Sequence, residues 1–94
     1  MSIISPAYRE KRRYILVKVD NNENFKEEFK NKFIYFFGIF GLAKAGIVFL
    51  IEKERNVIIR VTKKYLPKTL LVLYSLGIKD IRIASTLKKI KSYL

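Results

Sequence analysis

Arg13–Asp20 (RYILVKVD) is a predominantly apolar, β-branched and aromatic run bounded by polar residues and followed by the turn residues Asn21 and Asn22. That pattern predicts a first strand. From Asn24 the period changes: Phe25, Phe29, Phe33, Phe36/Phe37 and Phe40 recur at spacings of three and four, an apolar stripe on a helix. Asn24 with Glu27 three residues on resembles a capping box with Asn in place of Ser or Thr. Gly38 and Gly41 are the expected end of this helix. The stripe could serve a membrane or stack bases, but packing onto a sheet is the commoner use of such a helix.

Two β-rich runs follow, Lys44–Lys53 (KAGIVFLIEK) and Val57–Thr62 (VIIRVT), separated by a hairpin turn at Glu54-Arg55-Asn56. Pro67 opens a second helix in its first turn, Leu70, Leu71, Leu73, Tyr74 and Leu76 fill it, and Gly77 closes it. Ile78–Ala84 (IKDIRIA) reads as a fourth strand. Ser85 is placed to cap a last helix over Thr86–Leu94, with Leu87, Ile90 and Leu94 on one side and Lys88, Lys89 and Lys91 on the others.

The element order is therefore βαββαβ plus a terminal helix. It predicts an α+β fold: a ferredoxin-like (RRM-like) split βαβ sandwich with an extra C-terminal helix. Residues 1–94 form one RNA-binding domain in this reading, with residues 1–12 an extended basic arm and residues 86–94 a basic helix. RNA-recognition domains of this build stack bases on the sheet face that the helices leave free. Here Val57-Ile58-Ile59-Arg60-Val61-Thr62 lacks the Gly and paired aromatics of that signature. Gly46–Ile51 (GIVFLI) is moreover apolar on both faces, so a cover is expected on the second face too. The C-terminal helix, a second copy, or another protein would supply it.

Composition narrows the chemistry. Against 20 Lys+Arg stand 8 Asp+Glu, a net charge of +12 that attracts polyanions, nucleic acid first and an anionic membrane second. Cysteine and histidine are absent, which removes thiolate nucleophiles, Cys/His zinc sites and imidazole bases. The acids are Glu10, Asp20, Glu23, Glu27, Glu28, Glu52, Glu54 and Asp80. The cluster Asp20, Glu23, Glu27 and Glu28 reads as complementing a helix N-terminus, and only secondarily as a metal-dependent nuclease site. No apolar leader segment is visible in Met1–Pro6, and Phe33–Phe37 falls far short of the ~20 residues of a spanning helix. A soluble, cytoplasmic protein without a membrane partner is expected.

Taken in order, Pro6–Ile15, Phe37–Ala45, Val57–Arg60 and Ala84–Leu94 resemble the landmarks of archaeal ribonuclease P protein component 2. Pro6-Ala7-Tyr8-Arg9-Glu10-Lys11-Arg12-Arg13-Tyr14-Ile15 is similar to that family's opening proline and basic run into strand one. Phe37-Gly38-Ile39-Phe40-Gly41-Leu42-Ala43-Lys44-Ala45 is similar to its glycine-containing passage ending in Lys-Ala. Val57-Ile58-Ile59-Arg60 is similar to its Gly-Ile-Ile-Arg strand, and Ala84–Leu94 to its lysine-rich close. Ser85 stands where the family commonly has Gly, Ser92 replaces a basic residue, and the stretch before the last strand is short. The resemblance implies a non-catalytic subunit of the ribonucleoprotein that removes the 5′ leader from precursor tRNA, with RNA as the catalyst. It implies ribonuclease P RNA and component 3 as partners, precursor tRNA as an indirect one, and Mg2+ at the RNA with no cofactor on this chain.

Two clusters are the candidate RNA contacts: Arg9, Lys11, Arg12 and Arg13 in the arm, and Lys88, Lys89 and Lys91 on the last helix. Lys44, after a Gly-containing turn, is a third, with Lys63, Lys64 and Lys68 behind it. Tyr14 and Leu16 on strand one, with Val48 and Leu50 on strand two, are the candidate protein interface unless Thr86–Leu94 buries them. Another RNA-binding protein of ferredoxin-like fold, ribosomal or RNA-chaperone in kind, is the alternative function. A homo-oligomer, a peripheral membrane protein and an autonomous nuclease stand further off.

Overall fold

The computed structural model describes residues 11–20 and 22–94. Arg9, Glu10 and the rest of the arm before Lys11 lie outside them, as does Asn21. The elements run β1 (Arg12–Lys18), α1 (Asn22–Ala45), β2 (Val48–Lys53), β3 (Asn56–Thr62), α2 (Leu66–Ser75), β4 (Ile81–Ala84) and α3 (Leu87–Lys91). The fold is α+β: a four-stranded antiparallel sheet in the order β2-β3-β1-β4, with three helices. No helix of the described residues is long and apolar enough to cross a membrane.

Strand alternation sorts the side chains into two layers. Ile15 and Val17 of β1 and Val57, Ile59 and Val61 of β3 point to the helices, where Phe25, Phe29, Phe33, Val72 and Leu73 meet them in the main core. Phe25 and Phe29 set their rings edge-on to Phe49 of β2, 6.2 and 5.8 Å between centroids. Buried Thr69 satisfies its hydroxyl by donating to the Tyr65 carbonyl at 2.8 Å. On the opposite face, Leu16, Ile58 and Ala84 are buried under Ile90 of α3. The expected cover for the second face is therefore supplied, over its middle, by the chain's own last helix.

Several boundaries differ from the sequence reading. α1 starts at Asn22, so Asn24 and Glu27 lie inside its first turns rather than capping them. It also runs past Gly38 and Gly41 to Ala45. Gly38 breaks the helix without ending it: its φ of 77° and ψ of 169° lie in a region open essentially only to glycine. Gly41 then sits where a Cβ would lie 2.9 Å from Cβ of Phe37, so the segment after the kink packs back closely because residue 41 has no side chain. The true stop is Gly46, at φ 64°. β2 accordingly begins at Val48 rather than Lys44, and a register shift between Phe49 and Ile51 marks a bulge.

β1 gains Arg12, which the sequence reading assigned to the arm, and β4 shortens to Ile81–Ala84. The β2–β3 turn is the two residues Glu54-Arg55, with Glu54 in the left-handed region at φ 57°. α2 behaves as read: Pro67 lies in its first turn, and Gly77 and Ile78 donate to the carbonyls of Tyr74 and Leu73 at 3.0 and 3.2 Å, a Schellman close. The last helix is shorter than expected, and Thr86 rather than Ser85 caps it, accepting from the Lys89 amide at 3.2 Å.

Candidate nucleic-acid interface

The second sheet face carries cations that the linear sequence scatters. Register places Arg12 opposite Thr62, Tyr14 opposite Arg60 and Ala84, and Leu16 opposite Ile58 and Arg82. Leu16, Ile58 and Ala84 belong to this face, so by alternation Arg12, Tyr14 and Lys18 of β1, Arg60 and Thr62 of β3, and Arg82 of β4 share it. α3 crosses the middle of it on Ile90 and Leu87, holding Lys88, Lys89 and Lys91 exposed on the same side of the molecule.

Beyond α3, Arg82 stacks its guanidinium on the Tyr93 ring at 5.0 Å from the centroid. Arg82 and Tyr93 line a cleft of about 220 Å³ together with Leu16, Lys18, Asn56 and Asp80. At the other end of the sheet, the Lys63 amide donates to the Lys11 carbonyl at 2.7 Å, which fastens Lys63 and Lys64 beside Lys11, Arg12 and Arg13. Among the described residues, Arg60 Nε and Thr62 Oγ1 are buried with no hydrogen-bond partner. Both side chains lie on the second face next to Arg12 and Tyr14.

The sequence-derived candidates fall as follows. Arg9 lies outside the described residues. Lys11 and Arg12 are exposed, and Arg13, half-buried, donates from Nη1 to the Arg12 carbonyl at 2.9 Å. Lys44 is exposed in the last turn of α1. Gly46, two residues later, lies close enough to Thr62 for a Cβ to meet its methyl at 3.3 Å, which brings the end of α1 to the basic end of the sheet. For the protein-interface set, Leu16 is 7% exposed beneath Ile90, and Tyr14 and Leu50 are partly buried against the same cluster. Val48, half-buried opposite Arg60, completes the row.

Sequence reasoning did not single out Lys18, Arg60, Arg82 or Tyr93. Lys18, Arg60 and Arg82 lie in three separate strands and Tyr93 beyond α3, and it takes the sheet register and the Arg82–Tyr93 contact to bring them together. One acid, Asp80, borders the Arg82–Tyr93 cleft. Asp20 and Glu28 line a cleft with Asp80, Lys18 and Lys79, and no three acidic side chains come together as metal ligands among the described residues.

No protein-family model matches the chain. No curated protein matches it either.

Proposed function

We propose that the chain is a non-catalytic, RNA-binding subunit of ribonuclease P, of the archaeal component 2 kind. Its fold in this reading is a ferredoxin-like split βαβ sandwich with an added C-terminal helix. The strand order supports that build, because β3 separates β1 from β2 and β1 separates β3 from β4. The observation that carries the functional reading is the convergence of Arg12, Lys18, Arg60 and Arg82 with the lysines of α3 on one side of the molecule.

Such a surface binds a polyanion without chemistry of its own. Each phosphate it neutralises releases counterions and steepens the fall of log K with log salt by roughly 0.7–0.9. Tyr14 and Tyr93 add faces on which an unpaired base can stack, which a phosphate-only surface lacks. Ribonuclease P RNA is the proposed ligand, component 3 the proposed protein partner, and Mg2+ belongs to the catalytic RNA.

Reconstitution tests the reading. Adding the chain to ribonuclease P RNA with component 3 raises precursor-tRNA cleavage at limiting Mg2+, and footprinting finds RNA positions protected only when the chain is present. No gain in cleavage would remove the ribonuclease P assignment. Protection of ribosomal RNA instead would move the chain to the ribosomal or chaperone class.

A further inference from the structure

The helix layer has an outer surface that the core does not use. In the second half of α1, Tyr35 is 79% exposed, Ile39 65% and Phe40 80%, with Ile34 and Phe36 also exposed beside them. On α2, Leu71 is half-exposed. It lies on the same side of α2 as Lys68 and Ser75 by helical spacing. Folding alone does not reward this surface, and adjoining exposed aromatics and isoleucines on a small chain mark an interaction site.

Lysines stand along the border of the patch. Lys32 holds its ammonium 5.8 Å from the Tyr35 centroid, and Lys68 is 5.6 Å from that of Phe37. Lys44 follows one turn beyond Phe40. A second copy would bring these lysines against one another, so self-association opposes the charge. A lipid surface fits the lysines and rings but not the adjoining groove. That groove, about 510 Å³ between α1 and α2, is lined by Glu28, Asn31, Lys32, Tyr35, Ser75 and Leu76. A bilayer would desolvate its carboxylate and amide, whereas a protein segment can pair them. RNA could stack on Tyr35 and Phe40 but gains little from covering Ile34, Ile39 and Leu71.

We propose that Tyr35, Phe36, Ile39 and Phe40 of α1, with Leu71 of α2, form the docking surface for a partner protein. The partner presents an apolar segment flanked by Asp and Glu, which meet Lys32, Lys68 and Lys44. The proposal deepens the subunit reading and rests on it: RNA occupies the sheet side, and a protein neighbour in the same particle covers the helix side. The kink at Gly38 belongs to the design, because it turns the residues after it onto a new course and presents Ile39 and Phe40 outward.

Photo-crosslinking in the source cells tests this with the full chain. One form carries p-benzoylphenylalanine in place of Phe40, and a second carries it in place of Lys88. The Phe40 probe joins a different protein, at a peptide that mass spectrometry reads as apolar residues flanked by acids. Ile39→Ser, or separately Lys68→Glu, lowers that yield about tenfold or more, with thermal unfolding unchanged. An adduct with a second copy, with lipid or with RNA, or no adduct at all, overturns the proposal, as does a yield indifferent to both substitutions. The Lys88 probe reports on the other reading. If it joins no RNA while the Phe40 probe behaves as described, RNA binding falls and the docking surface stands.

Discussion

Cations behave differently on the two outer surfaces of the molecule. On the helix layer, Lys26 and Lys30 reach over the Phe49 ring and Lys68 over Phe37 and Tyr65, with Lys26 also paired to Glu52. These side chains lay their stems on aromatic surface and work as edges of a packed layer. On the sheet side, Arg12, Lys18, Arg60 and Arg82 stand on strands and Lys88, Lys89 and Lys91 on a helix seated over them. Those strand positions are set by backbone pairing, with Arg82 also resting on the Tyr93 ring, so the heads form a spaced array. A net charge of +12 is therefore not a uniform coat. One surface offers apolar area with a charged border, and the other offers charge with two tyrosines.

The sharpest test of this division sets a buried ring against an exposed one. Phe33→Ala, deep in the core, should cost about 3–5 kcal/mol in chemical denaturation, whereas Phe40→Ser should stay within about 0.5 kcal/mol. A similar loss for both would mean that the exposed patch is core in solution. Next in size, Lys18→Gln/Arg82→Gln/Lys88→Gln should flatten the salt slope of RNA binding by roughly 2–3. The matched helix-layer triple, Lys30→Gln/Lys32→Gln/Lys68→Gln, should leave that slope unchanged. Equal flattening by both triples would break the two-surface picture.

Gly38→Ala places a Cβ in the glycine-only region and should lower stability by about 1–3 kcal/mol, a change visible in the thermal midpoint. It should also straighten α1 and weaken the docking surface while RNA affinity holds. The smallest expected effect is Thr86→Ala. Loss of the α3 cap costs about 1 kcal/mol, read in the urea midpoint, and should slightly reduce RNA affinity without touching the helix patch.

The legible parts of the chain were those whose cause is local. β1 and β3 follow from short β-branched and aromatic runs, and the ends of α2 from Pro67 and Gly77, each acting through its own backbone geometry. Gly38, Gly41 and Gly46 look alike in a sequence but do three different things. The first kinks a helix, the second permits close packing against Phe37, and the third stops the helix. Only tertiary packing tells them apart, which is why α1 was read too short and β2 too long. The aromatic spacing identified the buried Phe25, Phe29 and Phe33 correctly, but it gave no warning that the kink would turn Phe40 outward. The basic clusters Arg12–Arg13 and Lys88–Lys91 were visible as runs. Arg60, Arg82 and Lys18 were not, because a cation within a strand declares its neighbours only through the register of the sheet.

The five-residue α3 has a consequence in time as well as in space. A helix that short has no stability of its own in water. Its attachment rests on burying Ile90, on the Thr86 cap and on the seating of Leu87. Such a segment detaches in local openings that leave the rest of the sheet folded, at a free energy well below that of global unfolding. Each opening bares Leu16 and Ile58 and releases three lysines on a flexible tether. A closed form with a cationic ridge and a rarer open one with a longer reach are therefore the two states expected of the sheet side. A polyanion that binds the closed form would lengthen its lifetime and slow amide exchange across residues 87–91.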